Sequence, residues 1–150
     1  MIKVQREDFD IGAEIAALTA GNTNVGGLAM FVGLVRDLAE HGRISAMTLE
    51  HYPGMTEKRL AEIEAEAKSR WPLESVLIIH RHGRLEPGER IVLVAATSAH
   101  RQAALDACAF LIDWLKTKAP FWKLEEGGQG VAWVDARHSD DEAAAKWRRS

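Results

Sequence analysis

Two lysines bracket a proline bend in KTKAPFWK (116–123). Lys116 falls in what reads as the last turn of a long helix, Pro120 stops that helix, and Lys123 follows two aromatic residues. If the bend folds Lys123 back towards Lys116, the two ammonium groups lower each other's proton affinity in a partly dry pocket. A lysine tuned in this way can act as nucleophile or proton donor near neutral pH. The plainer reading is a pair of surface lysines, since lysine is rarely buried. Lys118 fits that plainer reading, as a cation favoured by the helix dipole.

A second candidate is TSAHR (97–101), where an apolar strand hands over to the same helix. Free N–H groups and the helix dipole make such a start an anion site, and His100 and Arg101 would oppose the dipole unless an anion were bound there. Both could instead simply face solvent. Arg36, closing the apolar run 26–35, and Arg137, after VAWVDA, are each either a solvated strand end or a ligand for phosphate or carboxylate. Cys108 sits mid-helix on the apolar face and reads as an inert, buried thiol. His51 and Tyr52 read as structural, and Trp71, Trp114 and Trp133 as core or interface residues.

The elements that must position these residues follow from periodicity. IKVQR (2–6) reads as an edge strand, and Asp10 as the N-cap of a helix running to about Thr19. Residues 26–36 read as a buried strand with Gly33 a bulge, 38–43 as a polar loop, and 44–52 as a further strand. Residues 55–70 have Leu60, Ile63 and Ala67 on one helical face, and Pro72 ends that helix. VLIIHRHG (76–83) and RIVLVAATS (90–98) read as a hairpin across Pro87-Gly88. A helix over 99–118, capped by Ser98, buries Ala104, Leu105, Cys108, Leu111, Ile112 and Leu115. FWKLEE and VAWVDA form a second hairpin, and Ser139 with Glu142 a capping box for a short last helix. The expected fold class is α+β with a largely antiparallel sheet, in a single domain over residues 1–150.

Composition narrows the function. The chain has 150 residues, 47% hydrophobic and 27% charged, enough for a real core. A net charge of −3, from 19 basic and 22 acidic residues, argues against a nucleic-acid partner. No apolar run approaches the roughly 20 residues that span a bilayer, and the charged MIKVQREDFD does not read as a signal peptide, so no membrane association and a cytoplasmic location are expected. One cysteine forms no internal disulfide, and the six histidines show no metal-ligand spacing, so no metal and no cofactor are expected.

Several blocks, in order, closely resemble the large, catalytic subunit of the molybdopterin synthase family: FVGLVRD (31–37), LEHYPGMTEKRL (49–60), IIHRHGRLEPGE (78–89), VAATSAHR (94–101) and WLKTKAPFWK (114–123). Residues 1–25 and 138–150 carry no such block. The resemblance implies a hammerhead-type α+β fold and a homodimer. Each copy would bind a small ubiquitin-like sulfur carrier ending in a Gly-Gly thiocarboxylate, giving a heterotetramer. It also implies a sulfurtransferase of molybdenum cofactor biosynthesis that moves two sulfurs onto cyclic pyranopterin monophosphate, making the dithiolene of molybdopterin. The family's catalytic lysines fall on Lys116, beside the carrier's C-terminus, and Lys123, beside the pterin. Arg36, His100 and Arg101 match its basic pocket for substrate phosphate, Arg137 an arginine reaching that pocket, and Phe31 and Pro120 positions that shape it. A lone core-like cysteine agrees with sulfur arriving from a partner. The alternative is a non-catalytic dimeric module that grips a ubiquitin-like tail or a phosphorylated metabolite. A phosphate-ester hydrolase is disfavoured, because neither a metal cluster nor a nucleophile–base pair is visible.

Overall fold

The computed structural model describes residues 1–39, 42–128, 130–134 and 138–148. In chain order the elements are β1 (Ile2–Gln5), α1 (Ile11–Thr19), β2 (Gly27–Leu34), β3 (Leu38–Ala39), β4 (Gly42–His51), α2 (Met55–Arg70), β5 (Leu73–Arg81), β6 (Gly83–Leu85), β7 (Arg90–Ser98), α3 (Arg101–Lys118), β8 (Phe121–Gly127), β9 (Gly130–Val134) and α4 (His138–Ala145). The described strands form two sheets. One has the order β1-β5-β7-β2, parallel between β1 and β5 and antiparallel elsewhere. The other, antiparallel throughout, has the order β3-β4-β8-β9, with β6 also on β4. This is the α+β class expected, with a largely antiparallel arrangement.

Local chemistry sets the helix ends. The Asp10 carboxylate accepts from the Ala13 N–H at 3.0 Å and caps α1. Gly54, at φ +86°, turns the chain into α2, and its N–H donates to the Glu57 carboxylate at 2.6 Å. Trp71, which precedes Pro72, is extended and stops α2.

Strict alternation along β5 divides the core. Val76 and Ile78 face α2 and α3, meeting Leu60, Ile63, Ala67, Ala107, Phe110 and Leu111. Leu77 and Ile79 face the other way, towards Phe9, Ile11, Ile15 and Leu18. Burial on both faces is why this strand reads as an unbroken apolar run. Each fully buried Leu, Ile or Val contributes about 1.5–3 kcal/mol relative to exposure.

Several expectations are corrected. Residues 26–36 do not form a buried strand: β2 is a sheet edge, with Met30 49%, Phe31 41% and Leu34 53% exposed. An apolar run cannot tell burial within a chain from an edge left open to a partner. The register does slip at Gly33, as the bulge reading required. Of the stretch read as a loop over 38–43, the described residues are strand, since Leu38 pairs with Arg43 and Ala39 with Gly42, and residues 40–41 lie outside the described residues. β5 and β7 pair antiparallel, but no tight hairpin joins them, because the chain first crosses to the second sheet as β6. α3 begins at Arg101 with His100 in the cap position. Ser98 instead donates its hydroxyl to the Pro72 carbonyl at 2.8 Å and accepts the His100 N–H at 3.3 Å. Leu105 is 55% exposed and lies off the apolar face. α4 starts at His138, so Ser139 lies inside its first turn and does not cap it.

Candidate functional site

The direction of α3 over the first sheet decides where the candidate residues fall. A Cβ on Gly27 would lie 3.1 Å from the Arg101 Cα, and one on Gly26 would lie 2.0 Å from the Ala99 carbonyl oxygen. The starts of β2 and α3 are therefore pressed together, which only glycine permits. Further along, the Cys108 thiol reaches the Val94 carbonyl at 3.9 Å, and Val94 pairs with Phe31. The helix thus advances along β2 towards its far end, where Leu34 pairs with Arg90. Helical rise puts Lys116 about 22 Å along the axis from Arg101.

Lys116 and Lys123 are half-buried, and the charges of both act on the His80 ring. Phe121 and Lys123 are two apart on β8 and so share a face of that strand. Phe121 stacks on His80, with centroids 3.7 Å apart and planes 14° from parallel. Burial is the main reason that the His80 imidazole is held down to a pKa of about 3, and the nearby charges of Lys116 and then Lys123 push it further the same way. His80 is 2% exposed, and its Nδ1 lies 2.7 Å from the Arg81 carbonyl. A carbonyl can only accept, so Nδ1 carries the proton and the ring is the neutral Nδ1–H tautomer.

Pro120 is half-buried in the bend between α3 and β8, where the Ala119 N–H still bonds the Leu115 carbonyl at 3.3 Å. Arg36 is exposed, one residue beyond buried Val35, at the far end of β2. His100 and Arg101 are exposed at the opposite end. Phe31 lies midway, partly exposed on the open edge. From Gly27 to Leu34 the strand spans about 23 Å. One chain therefore groups Arg36, Lys116, Pro120 and Lys123 at one end and His100 with Arg101 at the other. Arg137 lies outside the described residues.

The sequence did not single out His80 or His82, and it gave His51 only a structural reading. His51 lies 5.9 Å from the Phe121 ring and 4.5 Å from that of His82, centroid to centroid. Its Nδ1 is 2.9 Å from the Thr56 hydroxyl, which itself donates to the Tyr52 carbonyl at 2.8 Å. Burial, then the charge of His51, lowers the His82 pKa. The available signal was alternation: in VLIIH, His80 falls on the same face as Val76 and Ile78, an inward position unusual for a histidine. Among the described residues, no group of three or more His, Cys, Asp or Glu side chains could hold a metal ion, and no helix is long and apolar enough to cross a membrane.

The model of the family described as MoaE protein matches residues 4–118. This chain belongs to the MoaE family. Its relatives in that family include the molybdopterin synthase catalytic subunit of Mesorhizobium japonicum, 54% identical over 99% of this chain and 94% of the relative. The solved molybdopterin biosynthesis MoaE protein from Burkholderia ambifaria superposes with a TM-score of 0.84 at 54% identity, covering 98% of this chain and 97% of the other. A more distant chain, from the protein–protein complex of subunits 1 and 2 of molybdopterin-converting factor of Helicobacter pylori, shares the fold. Its TM-score is 0.75 at 21% identity, over 91% of each chain. MoaE membership thus accounts for the hammerhead-type α+β fold and for the order of the sequence blocks.

Proposed function

We propose that this chain is the catalytic subunit of a molybdopterin synthase, a sulfurtransferase of molybdenum cofactor biosynthesis. It takes one sulfur from each thiocarboxylated Gly-Gly terminus of a small ubiquitin-like subunit, and two such transfers place two sulfurs on cyclic pyranopterin monophosphate, forming the dithiolene. The observation that carries the reading is that Lys116 and Lys123, both half-buried, lie close enough to the His80 ring for their charges to act on it, at the end of the fold where β2 leads to Arg36. A thiocarboxylate is anionic at neutral pH, and a half-buried ammonium attracts it more strongly than one in open water. Fixed cations also stabilise the negative charge that develops as the carrier's C–S bond breaks. Lys116 is assigned to the carrier terminus and Lys123 to the pterin. The setting proposed is the cytoplasm.

The phosphate pocket is assembled from two copies. Arg36 lies at the opposite end of β2 from His100 and Arg101, and β2 is an open edge with exposed Met30, Phe31 and Leu34. Two such edges laid antiparallel about a two-fold axis bring Arg36 and the lysines of one copy beside His100 and Arg101 of the other. Arg137 is assigned to the same pocket. Two large and two small subunits make the heterotetramer.

The test is reconstitution with a thiocarboxylated small subunit and the cyclic pterin. Dithiolene product at a rate that depends on both lysines supports the assignment. Full turnover in the Lys116→Ala and Lys123→Ala variants would return the chain to a scaffold that only grips its ligands.

A further inference from the structure

We infer that His80 is a positioning residue for the lysine pair: its ring, stacked on Phe121 and tied to the Arg81 carbonyl, fixes where β8 carries Lys123 relative to the end of α3. The inference rests on the role proposed above for Lys116 and Lys123. The two lysines belong to different layers. Lys116 lies in the last turn of α3, which packs on β2 and β7 of the first sheet, whereas Lys123 rides on β8 of the second. Their separation is therefore set by the short Ala119–Pro120 connection together with the contacts that join the layers. His80 sits at that seam, one residue before the last of β5, and Phe121 is the first residue of β8 after the Pro120 bend.

The chemistry of the ring suits the place. Stacking needs a flat ring, and the Arg81 carbonyl needs a donor where the chain leaves β5 for β6. A phenyl ring meets the first need and an amide side chain the second. The neutral imidazole meets both, and it adds no third positive charge to a site that already holds two ammonium groups. Phe121 is also approached from β4 by His51, whose Nδ1–H points at the Thr56 hydroxyl, so the ring is flanked by two tethered imidazoles.

The experiment compares His80→Ala, His80→Phe and His80→Gln in the complete complex with thiocarboxylated small subunit and pterin. It measures kcat, KM for the pterin and the melting temperature, with the two lysine variants in parallel. Misplacing a reacting group by an ångström can cost on the order of 100-fold in rate. The expected result is a kcat about tenfold or more lower in His80→Ala, with KM nearly unchanged. His80→Phe, which keeps the stack, should recover most of that rate, and His80→Gln, which keeps only the donor, should stay slow. Should His80→Ala fail to fold, the Phe and Gln variants alone decide the matter by the same ranking. Wild-type kcat in His80→Ala or His80→Gln, or a His80→Phe protein that is fully folded yet as slow as His80→Gln, while the lysine variants are inactive, overturns the inference alone. Lysine variants that turn over normally overturn the underlying reading and the inference with it.

Discussion

The imidazole of His80 lies flat on the phenyl ring of Phe121, with centroids 3.7 Å apart. The first residue belongs to β5 and the second to β8, so this one stacked pair bridges the two sheets beside both candidate lysines. The chemistry proposed for these lysines is thus expected at a seam between layers.

Replacing either lysine by alanine should leave the fold intact and remove most sulfur transfer. General acid–base groups contribute about 10²–10⁴-fold, so a loss of at least about 100-fold is expected for each variant. Both side chains are only half-buried, and the stability change should stay within about 1 kcal/mol. Single-turnover product formation and thermal melts check the two halves of this expectation.

The shared pocket makes a complementation prediction. Arg36→Ala and Arg101→Ala homodimers should both bind pterin weakly. Mixed dimers carrying one variant in each copy should regain one intact pocket of the two. In such a dimer, one pocket takes Arg36 and Arg101 from the unmutated positions of both copies and the other loses both. Activity near half of wild type in the purified mixed dimer, or about a quarter in a randomly reassorted equal mixture, checks the arrangement, and mixed dimers no better than the parents would place both arginines in one chain's pocket.

Acid stability should report the buried imidazole. His80 is neutral in the folded chain down to about pH 3, while an unfolded imidazole takes its proton near 6.5. Protonation therefore favours unfolding. The contribution of the neutral ring is fully present above pH 6.5 and is lost as pH falls towards 3, by up to about 1.4 kcal/mol per pH unit. Asp8 acts lower: the hydrogen bond from Arg90 is the main reason that its pKa is held to about 2, so its share goes only as pH drops from 3.8 towards 2. Denaturant midpoints measured from neutral pH into the acid range should fall less steeply for His80→Phe than for wild type. Parallel slopes would mean that the ring is accessible to protons when folded.

Gly26→Ala should strain the corner that presents His100 and Arg101. Its Cβ would fall 2.0 Å from the Ala99 carbonyl oxygen, so backbone must shift. A cost of about 1–3 kcal/mol is expected, read by thermal melting, together with weaker pterin binding read by calorimetry.

Cys108 should be chemically silent. Burial pushes its thiol up to about 11, so almost no thiolate is present at neutral pH. Cys108→Ala should transfer sulfur at the wild-type rate, and a thiol reagent should fail to label the native chain. Labelling that stopped turnover would give this chain a sulfur-handling role of its own.

The sequence by itself determined the elements whose forces are local. Asp10 caps α1 because its carboxylate reaches an N–H three residues on, and Leu60, Ile63 and Ala67 share a helix face because of helical spacing. The matching blocks likewise marked the lysines, since they are read as strings of residues. Only the tertiary structure decided matters of long-range register. β2 became an open edge and not a core strand, β6 left its sheet for the other, and Arg36 fell at the far end of β2 from His100 and Arg101. Alternation along β5 turned His80 inward, but its neighbours were invisible along the chain, because Phe121, Lys116 and Lys123 come from segments at least 36 residues away, brought together by packing that no local periodicity encodes.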